Sequence, residues 1–318
     1  MRGALFFLTA LVSLAQEKAP AGIGAEPNWN VVMSGDGNVS FFAGYRPVMT
    51  YQHATETGSG LDPAYARGGF LHPLFTPSGV QLSDSFPADH PHHHGIWTAW
   101  SAVEWNGLTP DFWNVGKRTG GVRVRSKPRR SDDGKFIECA LEAFAVTPGG
   151  EVVVLHETWK IAPLASSPRA HRFDLEINQR NVSAHELRLK AHHYGGLGLR
   201  GRPDWTHDLP YAAQLRFLTS NGTSDRAKGD GEQARWFYFG GPSPNGQVGY
   251  AVLHLTDSPT QFTRFNPKDP FVAFTPVKKG PLTIAPDGKL TMRYRILLID
   301  GPPDAAELEA EWRAAIKG

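Results

Sequence analysis

Apolar and polar residues alternate with a period of two along most of this chain. Phe173, Leu175 and Ile177 are separated by polar residues, and the segment 290–296 repeats the pattern. Successive side chains of a β-strand point to opposite faces, so this alternation predicts half-buried antiparallel strands. Gly, Pro, Asn and Asp bound each run and predict the turns. Similar runs occupy 136–146, 151–161, 187–193, 214–218, 233–239 and 249–255.

One helix is predicted, at the C-terminus. Pro302 and Pro303 open it, and Leu308, Trp312 and Ile316 share one face at helical spacing. A helix that follows so many strands is expected to pack across a sheet. The predicted fold class is therefore all-β: a large antiparallel β-sandwich with a C-terminal helix. No shift in composition marks a boundary, so residues 16–318 are predicted to form a single β-sandwich domain.

The first residues have the pattern of a secretory signal peptide. Arg2 precedes a short apolar run, and the small residues at 13–15 suit signal peptidase. We therefore predict a signal peptide over residues 1–15 and an exported mature protein, periplasmic or extracellular, that begins near Gln16. No later segment is apolar enough to cross a membrane.

Composition narrows the function classes. Of the 318 residues, 11% are aromatic and 20% charged, which fits a folded, ligand-handling domain better than a disordered one. The net charge of +2 is too small to argue for a nucleic-acid partner. Cys139 is the single cysteine, so an internal disulfide framework is excluded. The sequence also lacks a G-x-S-x-G elbow, an H-E-x-x-H helix and a P-loop.

Histidines, carboxylates and tryptophans are concentrated between His72 and Trp113. Imidazoles provide acid/base chemistry near neutral pH or ligate metals, and indole faces suit sugar rings. Gly and Pro predict loop over much of this stretch, with a strand near 95–102. We interpret the stretch as one wall of a binding site. Its candidate residues are His90, His92, His93, His94, Trp97, Trp100, Trp105, Trp113, Asp84, Asp89, Glu104 and Asp111.

The spacing of His92 and His94 leaves three roles open. If the segment is extended, both side chains point to one side, as two ligands of a metal ion do. A third ligand would be needed, such as Glu104, Asp111, His53 or His193. Organic acid/base catalysis is a second role, and hydrogen bonding that merely orders the loop is a third. A divalent metal cofactor is therefore possible but not required.

A second cluster follows the strand predicted over 187–193. The alternation places His193 on the inward face at the strand end, where a cleft can form. Tyr194 could donate a proton, and Arg200 could hold a carboxylate or a sugar oxygen. The alternative is a core histidine beside a glycine turn. The loop 265–271, with sequence FNPKDPF, could close over a ligand, although a structural loop is the simpler interpretation.

Six sequence blocks stand out along the chain: TPSGV at 76–80, DHPHHHGIW at 89–97, DFW at 111–113, HYGGLGLR at 193–200, FNPKDP at 265–270 and RYRILLIDG at 293–301. Together they resemble a bacterial family, the PmoA-like proteins, whose function is poorly defined. The resemblance extends from about residue 44 to about residue 301, and DHPHHHGIW is its most specific block. It implies an exported protein of bacteria that degrade complex polysaccharides, and the predicted sheets resemble the galactose-mutarotase-like supersandwich.

The leading hypothesis is an exported carbohydrate-active enzyme of lyase, hydrolase or epimerase type. Proton transfer would be catalysed by His92, His94, His193 and Tyr194. The predicted substrate-binding residues are Arg200, Glu104, Asp111 and the ring-stacking Trp97, Trp100 and Trp113. One alternative is a non-catalytic carbohydrate-binding protein. Another is a metal-dependent enzyme with His92 and His94 as ligands.

Overall fold

The computed structural model describes residues 29–54, 60–256 and 258–317. The predicted signal peptide lies outside them. In chain order the first strands are β1 (Trp29–Met33), β2 (Val39–Ala43), β3 (Arg46–Gln52), β4 (Phe70–Leu74), β5 (Ile96–Ala99), β6 (Val103–Glu104), β7 (Gly120–Arg130), β8 (Ile137–Thr147), β9 (Gly150–Leu164) and β10 (Ala170–Asn181). The later strands are β11 (Leu187–Leu189), β12 (Gly196–Arg200), β13 (Arg216–Thr219), β14 (Trp236–Ser243), β15 (Gly246–His254), β16 (Thr263–Phe265), β17 (Phe271–Phe274), β18 (Leu282–Ile284) and β19 (Lys289–Asp300). The helices are α1 (Arg226–Gly229) and α2 (Ala305–Ala315).

These strands form two eight-stranded sheets and one three-stranded sheet. The first large sheet has the order β1-β2-β3-β4-β5-β12-β17-β16, and the second has the order β13-β14-β15-β19-β10-β9-β8-β7. The small sheet is β18-β11-β6. The strand pairs are antiparallel, as in the register of β10 with β9 and β19. The predicted all-β antiparallel sandwich with a C-terminal helix is confirmed.

The main core contains the inward faces of both large sheets. Phe173, Leu175 and Ile177 of β10 are fully buried, and Leu197 and Leu199 of β12 join the same cluster from the first sheet. The polar residues between them are less buried, as the alternation in sequence predicts.

The first large sheet also buries part of its outer face, and this positions the candidate site. In β5, β12 and β17, residues that alternate with the core residues point to the opposite face. They contribute to a second aromatic cluster with residues of the loops that cover the sheet. The cluster comprises Phe70, Trp97, Ala99, Trp113, Phe271 and Ala273, with Phe86 and Tyr194 partly buried against it.

Helix α2 packs on the outer face of the second large sheet. Asp304 caps its N-terminus by accepting hydrogen bonds from the amides of Ala306 and Glu307. Leu308 is buried in a cluster with β14, β15 and β19 residues, and Trp312 packs against it. Ile316, predicted to share this face, is 47% exposed. Within the described residues, we find no helix with the length and apolarity needed to span a bilayer.

Candidate functional site

The histidine-rich segment after Pro87 folds into consecutive tight turns rather than an extended strand. The amide of His90 donates to the carbonyl of Pro87 (3.0 Å), and the amide of His93 donates to that of His90 (2.8 Å). Pro91 cannot donate to a strand ladder, so an extended ladder is interrupted here. Strand β5 begins only at Ile96.

This backbone path separates His94 from the other three histidines. The rings of His90 and His93 are stacked with centroids 4.6 Å apart, and the His92 ring lies 4.7 Å from that of His93. His94 is instead buried against Phe70, with ring centroids 4.4 Å apart, and its Nδ1 lies 3.1 Å from the Ser85 hydroxyl. The prediction that His92 and His94 point to one side is therefore wrong, because turns lack the two-residue periodicity of a strand. Neither the paired metal role nor the catalytic role of His94 fits this position.

The second histidine segment also differs from its prediction. Strand β11 ends at Leu189, so His193 lies in a bend with its side chain exposed rather than on an inward strand face. The Ser101 hydroxyl donates to the carbonyl of Tyr194 (2.9 Å) and holds the bend. Gly195 then turns the chain into β12 with a φ of 137°, a conformation that favours glycine.

Both histidine segments line one cavity of about 340 Å³ over the outer face of the first large sheet. Strand β5 pairs antiparallel with β12, so the segments that precede the two strands leave opposite ends of the pair, and both fold over the same outer face of the sheet. A larger cavity of about 480 Å³ lies beside α2, but its single histidine, His254, is hydrogen-bonded to Thr256. The smaller cavity is therefore the candidate active site. It is lined by His90, His92, His93, Asn114, His193, Tyr194, Arg264, Asn266 and Phe271.

Three imidazoles of this cavity, those of His92, His93 and His193, have lowered pKa values. Burial and then the neighbouring His90 lower the pKa of His92 to about 4. Burial also holds the pKa of His93 well below its ordinary value. The pKa of His193 is lowered by partial burial and then by the nearby His192 and Arg264. Neutral imidazoles can accept a proton, so the cavity has the form of a general-base site.

A chain of hydrogen bonds orients Tyr194 at the cavity wall. Its hydroxyl donates to the side-chain carbonyl of Asn114 (3.2 Å), whose amide nitrogen donates to Asp111 (2.8 Å). Asp111 is buried and also accepts from Lys117 (2.8 Å). Burial raises the pKa of Asp111, but the hydrogen bonds from Lys117 and Asn114 outweigh it and lower the pKa overall. Asp111 does not line the cavity, so the prediction that it contacts the substrate is corrected. Its role in the structure is to hold the side chain of Asn114 by a hydrogen bond.

Arg200 supports the histidine loop rather than lining the cavity. Its side chain is fully buried, and its terminal nitrogen donates to both carboxylate oxygens of Asp89 at 2.8 and 2.9 Å. Asp89 in turn lies 3.0 Å from Nδ1 of His90. The predicted substrate contact of Arg200 is therefore corrected, because protein atoms enclose the guanidinium.

The three tryptophans expected to stack on a sugar are buried. Trp97 and Trp113 pack on each other with ring centroids 5.0 Å apart, and Trp97 also supports the His93 ring at 5.1 Å. Trp100 lies in the main core and donates to Gln179 (2.9 Å). The stacking prediction is corrected for all three, since none is more than 1% exposed.

Glu104 lies apart from the cavity, on β6 of the small sheet. Its carboxylate is 2.9 Å from the Lys190 ammonium and 3.7 Å from Arg188. The sequence suggested a substrate or metal contact because Glu104 follows the histidines closely. The structure corrects this expectation, since β6 pairs with β11 rather than joining the sheet under the cavity.

Three residues that line the cavity, Asn114, Asn266 and Arg264, were not predicted as site residues from the sequence. Asn114 directly follows the DFW block, and Asn266 belongs to the FNPKDP loop that was interpreted as structural. Arg264 stands in an ordinary strand pattern, so no feature of the sequence distinguished it. Its guanidinium donates to Asp230 (3.1 Å), which also accepts from Lys278 (2.6 Å).

Comparison with solved structures gives remote likenesses. The chain is similar to heparan sulfate lyase HepC from Pedobacter heparinus (12% identity, TM-score 0.40) and to a mutant of that lyase (11% identity, TM-score 0.41). Each alignment covers 88% of this chain and 38% of the lyase. A TPR-domain containing protein from Parabacteroides distasonis ATCC 8503 is similar at 10% identity and a TM-score of 0.35, over 85% of this chain and 48% of that one. The chain thus spans less than half the length of each of these proteins.

A search of curated proteins gave no match. The family model that matches residues 38–313 describes a family of unknown function, DUF6807. This match covers most of the sequence, and the chain belongs to that family.

Proposed function

We propose that this protein is a carbohydrate-active enzyme that transfers a proton within the histidine-lined cavity. The observation that carries the proposal is the convergence of two distant histidine segments on one cavity, which His92, His193 and Tyr194 all line. A volume of about 340 Å³ lies at the small end of the range for small-molecule sites, about 300–1,000 Å³. Such a cavity suits a single sugar ring or the end of a chain better than a long polymer.

The residues of the cavity suggest a division of roles. His92 and His193 accept a proton from a sugar carbon or hydroxyl, because both imidazoles are uncharged at neutral pH. Tyr194 supplies a proton to the departing or rearranging oxygen, and Asn114 orients its hydroxyl. Arg264 provides positive charge beside His193 for developing negative charge on the substrate. The reaction is of lyase, hydrolase or epimerase type.

The signal-peptide pattern of residues 1–15 supports export, so we place this activity in the periplasm or outside the cell. The resemblance to PmoA-like proteins suggests that the source is a bacterium that degrades polysaccharides. The proposed reaction rests on neither point, because it is argued from the residues of the cavity alone.

The proposal is tested by a turnover screen on neutral and acidic oligosaccharides with His193→Ala and His92→Ala variants. Loss of a general base typically lowers the rate by 10²–10⁴-fold, and we expect a loss of about that size in each variant. His185→Ala is the matched control, since His185 is exposed and lies beside Trp105 away from the cavity. Circular dichroism confirms that the variants are folded.

Two outcomes contradict the proposal. Undiminished turnover in both cavity variants would remove the histidines from the mechanism. Saturable sugar binding without turnover on any substrate would favour the non-catalytic carbohydrate-binding alternative.

A further inference from the structure

Two carboxylates and an imidazole meet at the margin of the cavity. The ligand atoms of Asp89, His90 and Asp269 all lie within 4.8 Å of one another. The closest pair is Nδ1 of His90 and Oδ2 of Asp89 at 3.0 Å, and Oδ2 of Asp269 lies 3.9 Å from the same nitrogen. A second imidazole adjoins the group, because Nδ1 of His207 is 3.0 Å from Oδ1 of Asp269. We call these four residues the Asp–His cluster.

The cluster leaves one carboxylate oxygen without a hydrogen bond among the described residues. Asp269 has a side chain only 10% exposed, and Oδ1 is bonded to His207, whereas Oδ2 has no hydrogen-bond donor in this part of the chain. A carboxylate oxygen in this position is available as a ligand. Next to the cluster, Nδ1 of His93 is buried and likewise has no partner in the described part of the chain. Its ring is stacked on that of His90.

Surrounding residues fix the orientation of the cluster. Arg200 holds Asp89 through both oxygens, and the amide of Asp269 donates to the side chain of Asn266 (3.0 Å). Arg226 donates to the backbone carbonyl of Asp269 (2.6 Å). Such outer contacts orient ligands and tune their affinity for a metal. They also keep the carboxylates in place while no cation is bound.

The donor atoms of the cluster suit a divalent cation. Asp89 and Asp269 offer carboxylate oxygens, and His90 offers an imidazole nitrogen. The donor set is therefore a mixture of nitrogen and oxygen. Imidazole ligands favour Zn²⁺ and related first-row metals, whereas Mg²⁺ and Ca²⁺ prefer oxygen ligands alone.

We propose that Asp89, His90 and Asp269 bind one divalent first-row transition-metal ion at the cavity margin, with His207 hydrogen-bonded to Asp269 from outside the ligand group. Ligand distances near 2.1 Å place neighbouring ligand atoms about 3 Å apart, as His90 and Asp89 already are. Closing the group around an ion requires Oδ2 of Asp269, now 3.9 Å from Nδ1 of His90, to approach that nitrogen by about 1 Å. This site replaces the predicted His92–His94 pair, which the turn after Pro91 separates.

The test is metal binding rather than turnover, so it is independent of the proposed enzyme activity. Metal-free protein is titrated with Zn²⁺, Mn²⁺, Mg²⁺ and Ca²⁺ by calorimetry, and bound metal is counted by mass spectrometry after dialysis. We expect one equivalent of Zn²⁺ or Mn²⁺ and weaker binding of Mg²⁺ and Ca²⁺. Two separate substitutions, Asp269→Asn and His90→Gln, should each weaken binding by at least about 100-fold, since both remove a direct ligand.

A matched control locates the site. His185→Ala should bind metal as the wild-type chain does, because His185 is exposed and lies beside Trp105. Equal affinity in the wild type, Asp269→Asn and His90→Gln would overturn the proposal, as would the absence of stoichiometric binding for every metal. Loss of binding in His92→Ala with retention in His90→Gln would also overturn it, because the ion would then lie elsewhere in the cavity. The unfolding midpoint of each variant shows that the protein is folded.

Discussion

At the residue scale, buried histidines outside the cavity, among them His171 and His254, link stability to pH. His171 is 3% exposed and hydrogen-bonded to Ser166, and His254 is 9% exposed and hydrogen-bonded to Thr256. Burial lowers the pKa of each to about 4. In the unfolded chain the same groups titrate near pH 6.5. Between these two values the unfolded state binds more protons than the folded state, so stability decreases as the pH falls below about 6.5.

We therefore predict a lower urea midpoint at pH 5 than at pH 7.5. The two histidines together should lower the free energy of unfolding by roughly 2–4 kcal/mol, at about 1.4 kcal/mol per pH unit and group. His171→Gln keeps a polar side chain but removes one titration, so its stability should depend less steeply on pH. A free energy of unfolding that is unchanged from pH 7.5 to pH 5 would contradict this account of the buried histidines.

Residue spacing predicted the chemistry of individual positions only in part. His92, His193 and Tyr194 line the cavity, as expected of groups that can transfer protons. His94 is a second candidate imidazole and Trp97 a candidate ring-stacking indole, yet both are buried. Composition indicates which groups a segment carries, whereas the local backbone decides which of them face solvent.

At the element scale, β12 shows how a strand supports the cavity. Gly198 pairs with Trp97 on one side and Ala273 on the other, on the face that carries the aromatic cluster. A methyl group there would lie 2.8 Å from the Trp113 ring and 2.9 Å from the Trp97 ring. Both distances are too short for real contacts, and neither indole can move freely because each is buried.

Gly198→Ala should therefore destabilise the fold by about 1–3 kcal/mol, the usual range for overpacking a core. Its matched control is Gly280→Ala, where an added methyl group meets nothing within 4 Å. Chemical denaturation of both variants gives the comparison. A Gly198→Ala variant as stable as the Gly280→Ala control would mean that the indoles are less tightly packed than the structure shows.

The pattern of alternation predicted the large elements well because each long strand has one face toward the core. The helix was also predicted, since Asp304 caps it and Leu308 anchors it. The extended conformation considered for 92–94 is not adopted, because hydrogen-bonded turns occupy this segment. The strand predicted to reach His193 ends early, at Leu189.

At the scale of the whole molecule, the cavity depends on contacts between distant parts of the chain. His92 and His193 are 101 positions apart in the sequence, and both line the cavity because their segments lead into β5 and β12, which are neighbours in the first large sheet. The strand order of a large antiparallel sheet is set by the packing of many segments together. One sequence therefore identified the two clusters but could not show that they share a cavity. Arg264 lines the same cavity from β16, a third part of the chain that is distant from both histidine segments in sequence.

The central claim is that these two segments act as one catalytic site, and a double-mutant comparison tests it most directly. The quantity to measure is kcat/KM of the wild type, His92→Ala, His193→Ala and the double variant on the best substrate from the glycan screen. Residues that act as a unit show strongly non-additive effects. Our account predicts that the double variant is little slower than the slower single variant. Independent losses that multiply in the double variant, or a single variant with wild-type activity, would contradict a shared site.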